Sequence, residues 1–114
     1  MKYMILLFDD GSGTSYGEMT PEDFEREMQV HYDFEAWCKE NNVDIIDSWA
    51  LSPRATASTV RTGGEEYDGP YMELKEQLGG IYLIDAPTPE LAKEANRRCA
   101  NYGANELRPL ATRD

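Results

Sequence analysis

The chain is poor in the residues that carry metal and nucleophile chemistry. Its 114 residues include one histidine and two cysteines, Cys38 and Cys99. There is no CxxC pair, and a single histidine is too few for the common zinc patterns, so no metal is expected. Both cysteines fall in predicted helices and read as small apolar residues in a reducing compartment, not as a disulfide or a catalytic thiol. Basic residues are scarce too: 11 Lys and Arg stand against 22 Asp and Glu, a formal net charge of -11. So acidic a surface repels phosphate, which excludes nucleic acid as an expected partner and disfavours anionic membranes. No apolar run approaches the ~20 residues of a membrane span. The opening "MKYMILLF" is short and is stopped at once by "DDGSG", unlike a secretory signal. The expectation is a soluble, cytoplasmic protein with no cofactor.

What is present suits one compact domain over residues 1–114. Hydrophobic residues make up 40% of the chain, and a chain of this length buries roughly two thirds of its unfolded surface without needing a disulfide or a metal. "KYMILLF" (2–8) is apolar on both faces and reads as a mid-sheet strand. A helix is predicted from Thr20 to about Asn41, with Thr20 as cap, Pro21 at the first position and Asp23 in the first turn. At 100° per residue, Phe24, Met28, Val30, Phe34, Trp37 and Cys38 share its apolar arc. "VDIIDSWAL" (43–51) is the next strand. "TASTVRT" (56–62) and "EEYDG" suggest a small hairpin, and "GGIYLIDA" (79–86) is a buried strand. "TPELAKEANRRCANYG" is a second helix with Thr88 as cap and Gly103 just past its end. "NELRPL" (105–110) closes the order.

The order is βαββαβ with a hairpin inserted between the halves, which predicts an α+β, ferredoxin-like sandwich. Both helices then cover one sheet face. Tyr3, Ile5, Trp49, Tyr82 and Ile84 cannot all point at them, because strand neighbours alternate. The uncovered apolar face predicts a homodimer.

The stretch "DGPYMELKEQLGG" (68–80) resembles the DGPF branch of the YCII-related proteins. So do "MKYMILLF", "LSPRATASTVR" (51–61), "KEQLGGIYLID" (75–85) and "ELRPL", in the same order and covering essentially the whole chain. The resemblance implies a dimeric α/β-barrel of ferredoxin-like subunits. It fixes no reaction. A histidine–aspartate pair has been suggested as a site in the wider group, and some DGPF relatives are encoded beside extracytoplasmic-function sigma factors. Tyr71 stands where the branch's name has phenylalanine.

Several residues are candidates for chemistry. Asp68, in Asp68-Gly69-Pro70, is either a turn former or an acid, base or acceptor at a pocket rim. Tyr71, Glu73 and Lys75 form either a solvated connection or a ligand-binding segment beside Gly79-Gly80, with Lys75 suited to a carboxylate or enolate. Arg54 and Arg61 are either surface ion-pair partners or clamps for an anion. Ser58 and Thr59 lack a nearby base, so they are not nucleophile candidates. His31 lies on the apolar arc of the first helix with Glu27 and Glu35 one turn to either side. It is either a satisfied core residue or an acid–base group oriented by one of those glutamates. These residues support a small-molecule site between the sheet and the first helix, of isomerase, lyase or cofactor-free oxygenase type by fold analogy. The alternative is a non-catalytic regulatory or ligand-binding dimer, with a protein partner such as a sigma factor. A space between sheet and helix filled by Phe34, Trp37 and Tyr82 would end the enzyme reading, and a cavity with His31, Asp68 or Lys75 pointing in would count for it.

Overall fold

A computed structural model describes residues 1–11 and 18–111. Most of the glycine-rich segment expected as a loop after the first strand lies outside the described residues, as does the end of the chain. The order is β1 (Lys2–Asp9), α1 (Pro21–Glu40), β2 (Asp44–Ala50), β3 (Ser58–Val60), β4 (Glu66–Asp68), β5 (Gln77–Asp85), α2 (Pro89–Arg98) and β6 (Gly103–Pro109). Four strands form one antiparallel sheet in the order β2-β5-β1-β6, and β3 and β4 form a separate two-stranded sheet. The fold is α+β, consistent with a ferredoxin-like sandwich carrying an inserted hairpin. No described helix is long and apolar enough to cross a membrane.

Both helices begin as their sequences dictate. The Thr20 hydroxyl accepts from the Asp23 amide and the Thr88 hydroxyl from the Leu91 amide, each at 3.1 Å. Proline stands in the first turn of each helix, where it removes no helical hydrogen bond. Phe34 and Cys38 of α1 and Ala92 and Ala95 of α2 share one core with Tyr3, Ile5, Leu7, Tyr82 and Ile84. Both helices therefore lie on the same sheet face. The buried stripe of α1 is narrower than the expected arc, since Phe24 and Val30 are 44% and 45% exposed.

Strand register decides the two sheet faces. Tyr3 pairs with Ile84, Ile5 with Tyr82 and Leu7 with Gly80, and all six are buried under the helices. The four core residues named from the sequence thus share one face, and of the five only Trp49 points away. The outer face is instead built by Met4 opposite Leu83, Leu6 opposite Ile81 and Phe8 opposite Leu78, with Trp49 beside Ile81. Trp49 is 64% exposed. Glu106 and Arg108, paired at 2.6 Å, edge this face on β6.

The end of α2 also differs from expectation. Gly103 does not cap the helix but opens β6, where an added Cβ would come within 2.8 Å of the Phe8 carbonyl oxygen. The carbonyls at the helix end are served by Asn105, whose Nδ2 donates to Asn96 O at 3.2 Å, Cys99 O at 3.3 Å and Ala100 O at 3.1 Å.

Candidate functional site

His31 projects from the sheet-facing side of α1 and meets β5. Its Nδ1 lies 2.5 Å from the Tyr82 hydroxyl, and its Nε2 lies 3.6 Å from Glu27 Oε1. The side chains of His31 and Glu27 are 16% and 19% exposed. A carboxylate on the Nε2 side favours a proton there, which leaves Nδ1 to accept from the tyrosine hydroxyl. An imidazole held at both nitrogens, between a carboxylate and a phenol and still touched by solvent, can take up or release a proton at little cost in reorientation. Glu35, the other glutamate one turn away, is exposed.

The space beneath this group is filled. Phe34 meets Tyr82 edge-on, with ring centroids 5.1 Å apart and planes at 73°, a favourable aromatic geometry. Trp37 is only half-buried and is covered by the Arg98 guanidinium, 5.2 Å from its ring centroid, which ties α1 to α2. Of the three residues whose packing would end the enzyme reading, Phe34 and Tyr82 fill the space together, while Trp37 sits to one side under Arg98. His31 stands at the margin of this packing.

The remaining candidates lie on the inserted hairpin. Asp68 ends β4, is exposed and pairs through its backbone with Ser58. No hydrogen bond or ion pair joins it to His31. Gly69 follows with φ +106°, a conformation that suits glycine. Its amide donates to Ala57 O, and its carbonyl accepts from the Thr59 hydroxyl, each at 2.7 Å. The Arg61 guanidinium lies over the Tyr71 ring, 5.7 Å from its centroid. Glu73 and Lys75 are exposed. The structure brings Arg61 and Tyr71 together and leaves His31 apart from all of them.

Arg54 does a different task from its sequence neighbour Arg61. Its Nη1 donates to Leu74 O at 3.0 Å and Lys75 O at 2.9 Å, and its Nη2 to Asp9 O at 3.1 Å and Asp9 Oδ1 at 3.3 Å. The Gln77 amide donates to Met72 O and Leu74 O. The guanidinium is spent on holding the 70–76 segment to the end of β1, while Arg61 lies over the Tyr71 ring. A cavity of about 290 Å³ lies beside this staple, with Leu51, Pro53, Ala57, Pro70 and Leu78 among its lining.

Tyr82 is the residue that reading by sequence left in the core alone. The signal was present: alternation in β5 puts Tyr82 on the helix side, and a buried tyrosine hydroxyl needs a partner. What the sequence could not give is the level at which α1 crosses β5, and that level selects His31.

Comparison with known proteins agrees with the architecture. A family model for the YCII-related domain matches residues 1–110. An uncharacterized protein of Rhizobium meliloti (strain 1021) is 34% identical over 124 residues, spanning 97% of this chain and 93% of the relative. With almost the whole sandwich matched, strands, helices and inserted hairpin together, the chain belongs to the YCII-related family.

Proposed function

We propose that this YCII-related protein handles a small molecule at an acid–base site centred on His31. Glu27 orients the imidazole and Tyr82 provides the hydroxyl that exchanges a proton with it. The observation that carries this reading is the 2.5 Å approach of His31 Nδ1 to the Tyr82 hydroxyl with Glu27 on the other ring nitrogen. Because Phe34 closes the space below, the ligand sits at the solvent side of the imidazole. The DGPF-type segment with Asp68, Arg61, Tyr71, Glu73 and Lys75 is a second contact region, not part of the same cluster. The test is native mass spectrometry of the purified protein. A small molecule retained by the wild-type chain and lost in His31→Ala supports the reading. Retention unchanged in that variant, or no retained molecule in either, overturns it.

A second reading is a non-catalytic regulatory homodimer formed through the outer sheet face, the arrangement of a dimeric α/β-barrel. The half-buried row Met4, Leu6, Ile81 and Leu83 beside the exposed Trp49 favours it. A protein partner such as a sigma factor would then be recognised by the dimer, and co-purification of a protein in place of a small molecule would favour this reading.

A further inference from the structure

The helix side of the sheet is not covered to its edge. On the edge strand β2, Ile45 pairs with Ile84 and packs against the core. Further along, Ser48 stands opposite Tyr82 and Ala50 opposite Gly80, and both are exposed. Residues directly opposite on antiparallel strands share a face. Tyr82 faces the helices, so Ser48 and Ala50 do as well, and the helices leave this edge open.

The open edge adjoins the His31 group, and the Tyr82 side chain joins the two. As cross-strand neighbours, Ser48 and Tyr82 have Cβ atoms about 4.5–5.5 Å apart. The Tyr82 hydroxyl in turn lies 2.5 Å from His31 Nδ1. Asp47, opposite Leu83, belongs to the other sheet face, and its Oδ1 accepts from the Ser48 amide at 2.9 Å. The Ser48 hydroxyl itself has no hydrogen-bond partner among the described residues. It is a donor presented to solvent one tyrosine side chain away from the imidazole.

Charge narrows what this edge can hold. Glu27 lies 3.6 Å from His31 Nε2, and no lysine or arginine pairs with either of them among the described residues. Arg26 pairs with Asp23. Lys39 lies about 12 Å further along α1, where it lines a separate cavity with Glu35 and Asp44. An anionic ligand would meet the Glu27 carboxylate with no cation to offset it, and like charges brought together are costly.

We propose that Ser48 orients the ligand of the His31 site, and that this ligand is a small neutral hydroxycarbonyl compound. The inference rests on the acid–base reading of His31. The Ser48 hydroxyl donates to the ligand's carbonyl oxygen, and the His31–Tyr82 pair takes the ligand's hydroxyl. One edge of the site thus supplies a donor and the other a proton-exchanging pair, which a hydroxyl beside a carbonyl complements.

The test uses two probes with the same three-carbon skeleton, neutral dihydroxyacetone and anionic pyruvate. Each is titrated into the full chain while the imidazole C–H resonances of His31 are followed by NMR. Wild type is compared with Ser48→Ala and with Ser58→Ala on the hairpin, and far-UV circular dichroism checks that each variant keeps its fold. Dihydroxyacetone should shift His31 saturably and pyruvate should not. Ser48→Ala should raise the dihydroxyacetone dissociation constant about fivefold or more, as loss of one neutral hydrogen bond does, while Ser58→Ala leaves it unchanged. Pyruvate binding as tightly as dihydroxyacetone overturns the neutral class. A wild-type constant in Ser48→Ala overturns the role of Ser48 and leaves the His31 site standing. If neither probe moves His31, the inference falls, while a retained molecule lost in His31→Ala would still uphold the acid–base site.

Discussion

Residue by residue, burial sets reactivity more than identity does. Cys38 and Cys99 are both buried in the core under the helices. Burial, helped by the nearby Glu35 carboxylate, pushes the Cys38 thiol from 9.0 up to about 11. Burial, helped by Cys38 itself, pushes Cys99 up to about 12. Both are therefore neutral, unreactive thiols at ordinary pH; Cys38 lies in α1 as expected, whereas Cys99 falls just past the end of α2. Neither should react with a thiol reagent at pH 8 until the protein unfolds. The sign of the pH effect follows from linkage: the folded state holds these protons more tightly than the unfolded one, so their contribution to stability is intact below about pH 9. It is lost as pH rises toward about 11 and 12. Urea midpoints at pH 8 and pH 10.5 should fall with pH, and by less in Cys38→Ala/Cys99→Ala. Equal slopes in wild type and variant would contradict this origin. His31 shows the opposite use of a half-buried group, because solvent and two polar partners reach it.

Among the elements, helix starts were legible and helix ends were not. Thr20-Pro21 and Thr88-Pro89 cap as their sequences say because an N-cap is made by the residue itself and an amide three positions on. The end of α2 is different. Three carbonyls there depend on the Asn105 amide, which comes from β6, the element that follows. Asn105→Ala should orphan them and cost about 1–3 kcal/mol. Thr88→Ala should cost about 1 kcal/mol, the usual loss for a cap. The order of the two denaturation midpoints checks this, and an Asn105 variant as stable as wild type would remove the side-chain cap from the account. The inserted hairpin carries the same lesson. Its strands were expected over 56–62 but β3 is only Ser58–Val60, because Arg54–Thr56 folds into a single 3₁₀ turn that aims Arg54 at the 70–76 segment.

For the whole molecule, charge and apolar surface oppose one another. Two copies of a chain with net charge -11 repel over the range that salt screens. The contact proposed between them is apolar at its centre, where salt does not weaken it. The dimer should therefore tighten as salt rises from about 0.05 to 0.5 M, over which the screening length falls from roughly 14 to 4 Å. Sedimentation at both salt levels reads this directly. A dimer that loosens with salt would mean that opposite charges, not apolar side chains, hold the copies together.

The sequence by itself determined the element order, the helix starts, the antiparallel α+β class and the apolar character of β1 and β5. Those depend on periodicity and on partners a few residues apart, which a linear chain displays. It also bounded the chemistry, since one histidine and a large acidic excess leave few choices of site. Only the tertiary structure decided which strand residues face the helices. Register, and the bulge between Leu7 and Phe8 where β1 meets β5, set that, and a shift of one residue exchanges the two faces. It likewise decided that Arg54 is a staple while Arg61 stacks on Tyr71, and that His31 meets Tyr82 across 51 residues of chain. Such pairings are fixed by where helix crosses strand, a distance in space that no spacing along the sequence records.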